Sequence, residues 1–192
     1  MPLYEVNHSV LLTSSQKSDL AQAITSIHST RFITPTLFVH VKFHDTSSTD
    51  LFIGGAAKQK SHILAHVRAG PSRSRQDYNA LCADIARAWD EIVKPLPQVK
   101  RSAPEEGDER GLYSVFVLGD IAAGIEAGFE IPEAGKDGEW LAENMGAFRA
   151  RAEDRQEEFV KLVREVEERG LIAGHKTKAQ KLEEMLGWGD SA

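Results

Sequence analysis

Apolar and polar residues alternate through PLYEVNHS at the amino end, the two-residue period of a strand with one face buried. The period then lengthens. In TSSQKSDLAQAITSIH, Leu20, Ile24 and Ile27 recur at helical spacing, and Thr13 with Gln16 has the form of a capping box. A helix is therefore predicted from there through about His28. TPTLFVHVKFHD returns to alternation, with Leu37, Val39, Val41 and Phe43 on one face of a second strand. A turn-rich TSSTD leads into DLFIGG, whose adjacent Gly54 and Gly55 predict a tight hairpin end.

The same order then repeats. SHILAHVRAG reads as a strand, SRSRQDYNALCADIARAWDEIV as a helix of about six turns, and LYSVFVLGD as a strand. In each β-α-β unit the two strands are expected to lie parallel, joined by a right-handed crossover. Two such units predict an α+β fold, a four-stranded sheet with both helices on one face. KPLPQVKRSAPEEGDERG interrupts the second unit and is too polar to pack, so Lys94 to Gly111 is predicted as a long, mobile surface loop. IAAGIEAGFEIPEAGKDGEW is punctuated by glycine and has no clear period. Composition shifts near residue 140, which predicts one domain over 1–140 and a helical extension over 141–192. Within the extension, NMGAFRARAEDRQEEFVKLVREVEERG reads as one charged helix with a narrow stripe of Phe159, Leu162, Val163 and Val166. So narrow a stripe suits covering a neighbouring surface, another subunit among the choices, or an exposed appendage. TKAQKLEEMLGW reads as a further short helix.

Composition narrows the function classes. The 192 residues are 41% hydrophobic and 27% charged, the balance of a soluble globular chain with room for a core. A net charge of −6, with basic residues interleaved with acids along the tail, argues against nucleic-acid binding. One cysteine, Cys82, rules out an internal disulfide framework, and its place in a helical pattern suits inert packing. No apolar run approaches the roughly 20 residues of a membrane span, and the start does not have the form of a signal peptide. A cytoplasmic location and no membrane partner are the expectation. His40 and His44, four apart on a strand, would lie about 13 Å apart, and the same holds for His62 and His66. No phosphate-loop, dinucleotide or nucleophile-elbow motif is present, so neither a metal nor a cofactor is expected.

The remaining chemistry gathers at element ends. Loss of Met1 would leave Pro2 with a free secondary amine, and an ordinary α-amino group titrates near ~7.7–8.0. Burial or nearby charge can then select either a base or an acid. His28 continues the buried stripe at the helix end, where a packed or capping histidine is the plainer reading. Arg68 and Arg73 bracket the connection RAGPSR between a strand and a helix start, an arrangement suited to a carboxylate ligand as well as to a surface pair. Glu126, in GIEAGF, has no distinguishing context of its own.

In series, PLYEV, AITSIH, FIGG, RAGPSRS and GIEAGFEIPEAGKDGEW resemble the tautomerase superfamily over about residues 2–140, and within it the cis-3-chloroacrylic acid dehalogenase-like branch of fused β-α-β repeats. The resemblance implies the tautomerase/MIF-like sheet, a homotrimer, and Pro2 as the catalytic proline. It also implies a catalytic role for His28 and a small-molecule carboxylate substrate held by Arg68 and Arg73. The connection here is longer by Pro71 and Ser72, so Arg75 is an alternative to Arg73. Glu126 matches the acid that activates water together with a tyrosine. That tyrosine's place falls among Val115 and Val117, with Tyr113 nearby. The implied activities are keto–enol tautomerisation of a 2-oxo acid and hydration or dehalogenation of an α,β-unsaturated acid. A non-catalytic scaffold using the long loop and the tail is the competing reading.

Overall fold

The computed structural model describes residues 1–94 and 110–172. Most of the loop predicted at 94–111 and the helix predicted in TKAQKLEEMLGW lie outside the described residues. Strand β1 (Leu3–His8) buries Tyr4, Val6 and His8, the alternation read in the sequence. Helix α1 (Ser14–Phe32) begins at the expected box: Gln16 N donates to Thr13 Oγ1, and Thr13 N to Gln16 Oε1, each at 3.1 Å. It runs four residues past His28 and ends where Ile33 turns left-handed at φ 55°.

The second alternating stretch is shorter than its pattern. Thr36–Phe38 forms a 3₁₀ turn, and strand β2 occupies only His40–Asp45. Pro35 at the turn's cap and full burial of Phe38 turn the chain inward here, so Leu37 is taken out of the strand face. The Gly54–Gly55 hairpin joins β3 (Phe52–Ile53) to β4 (Ala56–Ala57), both glycines having positive φ. Strand β5 (Ser61–His66) and helix α2 (Arg75–Ile92) follow, with Ser74 and Asp77 capping the helix reciprocally. Strand β6 (Leu112–Leu118) completes the repeat.

The sheet order is β2-β1-β5-β6. β1 pairs with β2, and β5 with β6, in parallel; the two units meet where β1 runs antiparallel to β5. The predicted tandem repeat is present. Leu20 and Ile24 of α1, with Leu81, Ile85 and Trp89 of α2, pack on Tyr4, Val6, Ile63 and Ala65 to make the main core. Cys82 is half-buried beside β6, its thiol held protonated by burial.

The Gly-rich stretch without a period contains a small hairpin, β7 (Ile125–Glu126) and β8 (Phe129–Glu130), and the start of helix α3 (Asp137–Glu153). α3 therefore crosses position 140. The charged segment read as one helix is two: the chain breaks at Asp154–Gln156, with Arg155 at φ 62°, before helix α4 (Glu157–Arg169). Phe159, Leu162 and Val166 face inward and join Trp140, Leu141, Met145, Phe148, Phe38 and Met1 in a second apolar core. The stripe thus covers the same chain. Arg169 fastens α4 to α1 by donating to Ser29 Oγ (2.6 Å) and Ser29 O (3.1 Å).

Candidate functional site

Between the two cores, chain segments far apart in sequence bring ionisable groups together. Met1 and Pro2 are both buried at the foot of β1. The Met1 amine donates to Phe38 O (3.0 Å) and to Glu126 Oε2. Burial lowers the pKa of this amine, Glu126 opposes that shift, and Arg68 adds to it. Glu126 is carried by the β7–β8 hairpin, whose Ala127–Gly128 turn has positive φ at both residues. Its Oε1 lies 2.6 Å from His40 Nε2, and His40 is fixed beside the amino end because its N–H donates to Pro2 O (3.0 Å).

His28 lies on the buried stripe of α1, fully enclosed. Its Nδ1 is 2.7 Å from the Tyr4 hydroxyl. Burial, and then the positive charges of Arg73, Arg68 and the terminal amine, bring its pKa down to about 3, while burial pushes the Tyr4 hydroxyl up. Near neutral pH the imidazole is therefore uncharged. With Tyr4 donating to Nδ1, the proton resides on Nε2, an atom buried without a hydrogen-bond partner among the described residues.

The linkage has a definite sign. An unfolded histidine titrates near ~6.5, so below that pH the unfolded chain takes up a proton that folded His28 refuses. His28 will therefore cost stability progressively from about pH 6.5 downward, saturating near 3, by about 1.4 kcal/mol per pH unit. Urea unfolding of wild type and His28→Gln between these limits will show the stability of wild type relative to the variant rising with pH by about 1.4 kcal/mol per unit. Parallel curves would show that His28 titrates alike in both states.

Arg68 and Arg73 are 4% and 8% exposed, not a surface pair. Arg73 stacks over the Phe32 ring at 4.4 Å and donates from Nη1 to Arg68 O (3.1 Å). Burial, followed by the neighbouring Arg68, lowers its pKa. Arg75 is exposed in the first turn of α2, so Arg73 is the arginine beside Arg68. Arg68 Nη1 donates to Pro132 O (2.6 Å) and Glu133 O (3.1 Å), the loop that delivers α3. Close approach of that loop to the RAGPSR connection depends on Gly135, at φ 87°, where a Cβ would stand 2.7 Å from Ser72 Cβ.

Asp137, which the sequence did not single out, completes the cluster. Its Oδ1 accepts from Arg68 Nη2 (2.7 Å) and Thr34 Oγ1 (3.3 Å), and its Oδ2 lies 3.8 Å from Arg73 Nη2. His40, which the sequence offers only as a metal-ligand candidate, also stands in the cluster through Glu126 and Pro2. Its signal was its place at the start of the strand beside the amino end. Tyr113 is 55% exposed, next to the bulge where β5 and β6 shift register, while Val115 and Val117 pack against the core. The residue seated on Glu126 is His40. Among the described residues, no group of three or more His, Cys, Asp or Glu could hold a metal ion, and no helix is long and apolar enough to cross a membrane.

One solved structure shares the fold, and others are similar at lower scores. N1, a member of the cis-3-chloroacrylic acid dehalogenase (cis-CaaD) family, matches at a TM-score of 0.57 and 22% identity, over 79% of this chain and 99% of its own. The symmetric trimer Q0 fused 4-OT matches at 0.49 and 15%, over 67% and 94%. MIF2 of Leishmania major matches at 0.47 and 16%, over 68% and 97%. No curated protein matches the sequence. Residues 1–145 match the family model Tautomerase_3, described as "Putative oxalocrotonate tautomerase enzyme". With that match over most of its length, and with a fused β-α-β fold shared with a cis-3-chloroacrylic acid dehalogenase family member, the chain belongs to the tautomerase superfamily.

Proposed function

We propose that this chain is an amino-terminal-proline-dependent enzyme acting on a small 2-oxo or α,β-unsaturated acid or its derivative. The observation that carries the reading is the meeting of Glu126 with the terminal amine across 125 residues of sequence. Loss of Met1 would move the amine to Pro2 and vacate a buried apolar space beside Phe38 and Trp140 for substrate. In its neutral form Pro2 acts as a base. It takes a proton from the carbon next to the carbonyl and returns it elsewhere on the enol, a tautomerisation. His28, neutral and anchored by Tyr4, orients the substrate oxygen, and Arg68 and Arg73 supply the positive field.

The hydratase or dehalogenase reading is favoured by a different observation, the His40–Glu126 pair. There Glu126 would direct water to the β-carbon while cationic Pro2 protonates the α-carbon. The scaffold reading rests on the long loop and the tail; the tail's apolar stripe packs within the chain, and most of the loop lies outside the described residues. The resemblance to a trimeric family extends to assembly. The sheet face away from the helices is open in one subunit, with Phe116 55% exposed, which suits burial against further copies.

The test is intact mass before and after incubation with 3-bromopropiolate and, separately, its methyl ester, both of which hydration turns into acylating agents. Protein without Met1 is the expected result, and one adduct on Pro2 from either reagent would mean that the site activates water as well. Retention of Met1 on protein from its native source would overturn the proline mechanism. Loss of Met1 with no adduct from either reagent would leave tautomerisation and remove the water-activating reading.

A further inference from the structure

The arginine pair is already a filled clamp. Each oxygen of Asp137 faces a different guanidinium, Oδ1 toward Arg68 at 2.7 Å and Oδ2 toward Arg73 at 3.8 Å. One oxygen is hydrogen-bonded to Arg68 and the other is at ion-pair distance from Arg73 without a hydrogen bond, so a carboxylate from the first turn of α3 stands between the two arginines. The placement is enforced from several sides. Thr34 donates to Oδ1, Arg68 is tied to the carbonyls of Pro132 and Glu133, and Trp140, one turn along α3, is locked in the second core with its Nε1 donating to Glu130 O (2.7 Å). Asp137 is 3% exposed, so solvent does little to screen its attraction for the pair.

We infer that Asp137 is a specificity-determining residue: it occupies the seat of a substrate carboxylate between Arg68 and Arg73 and directs the site toward carbonyl compounds whose acid group is masked, as an ester, amide or ketone. The inference rests on the proposed carbonyl chemistry for its substrate class. Two guanidiniums and one carboxylate leave a single net positive charge. A second carboxylate entering that space would meet Asp137 at close range, and like charges within a buried site repel strongly. A neutral carbonyl oxygen meets no such repulsion. The buried donors left for it are Arg73 Nη2 and, in the tautomer set by Tyr4, His28 Nε2, neither of which has a hydrogen-bond partner among the described residues. A buried donor of this kind, set on the carbonyl oxygen, polarises a ketone or ester for loss of an adjacent proton.

Pyruvate and methyl pyruvate, which differ in this one group, test it by direct binding, with no turnover required. Titrations near neutral pH, followed by calorimetry or protein NMR, will show wild type binding the ester at least as tightly as the acid. In Asp137→Asn the ratio of acid to ester affinity will rise about tenfold or more, the order contributed by a charge-assisted hydrogen bond. A purely structural Asp137 would weaken both ligands together and leave the ratio fixed. Wild type preferring pyruvate by tenfold would overturn the inference, and this arm stands even if the variant does not fold. A folded variant with no saturable pyruvate binding, or with an unchanged ratio, would overturn it as well. Retention of Met1 would instead strike the proline mechanism, so the two failures are distinguishable.

Discussion

Pro2→Ala will lower kcat by about 10²-fold or more, within the range a positioned general base or acid contributes, while KM changes little. Alanine is also small, so removal of Met1 is expected to proceed and the variant still presents a buried terminal amine. Two things are lost. The amine becomes primary rather than secondary, and no ring locks the direction of its lone pair. Reacting atoms held a fraction of an ångström out of line lose much of the advantage of positioning. Glu126, His28 and the arginine cluster are untouched, and these are the groups expected to hold substrate, which is why KM is spared. Steady-state enolisation of a 2-oxo ester and of its acid, on protein whose intact mass confirms loss of Met1, gives both constants. Unchanged kcat on every substrate turned over would remove Pro2 from the mechanism. A fall in kcat/KM carried entirely by KM would make it a binding residue only.

The parts of this molecule legible in sequence are those governed by local rules. The Thr13–Gln16 box forms with both reciprocal hydrogen bonds, and the Leu20–Ile24 stripe is buried. The β-α-β order, repeated in the pattern of periods, appears as two parallel pairs joined at β1 and β5. What escaped are features decided by contacts between distant segments. Leu37 fits the alternation of β2, but burial of Phe38 against Trp140, with ring centroids 5.3 Å apart, favours a 3₁₀ turn there. Asp137 looks like an ordinary acidic first-turn residue, and only the fold reveals that Arg68 and Arg73 wait opposite it. His40 gains its meaning from a backbone bond to Pro2 that no spacing rule encodes. The break at Asp154–Gln156 is hidden because the residues around it keep a helical composition, and Arg155 takes a left-handed φ with no glycine to announce it. Of the candidate site, the members known from the resemblance were named in advance. Their shared counter-ion was not.

Phe148→Ala will destabilise the chain by about 3–5 kcal/mol, the usual cost of removing a fully buried phenylalanine ring. Phe148 is 0% exposed and sits amid four other aromatic rings: Phe129 at 4.8 Å between centroids, Trp140 at 5.4 Å, Phe159 at 5.9 Å and Phe38 at 6.5 Å. These come from the β7–β8 hairpin, both tail helices and the 3₁₀ turn, so one truncation loosens every segment that surrounds the amino end. Collapse cannot refill the space cheaply, because Phe38 is held by the turn and Trp140 by its bond to Glu130. The hairpin that carries Glu126 is only four paired residues long and depends on Phe129 for its anchorage, which Arg151 shares by stacking on that ring at 4.8 Å. Urea unfolding measures the loss, and hydrogen exchange at Glu126 and His40 reports whether the site loosens with it. A cost below about 1 kcal/mol, the range of surface substitutions and minor repacking, would mean that α3 and α4 are an appendage to the sheet. A full cost with unchanged exchange would mean that the second core stabilises the chain without supporting the site. The expected result is both together, because Met1, Phe38 and Phe148 belong to one cluster and the amine projects from its edge.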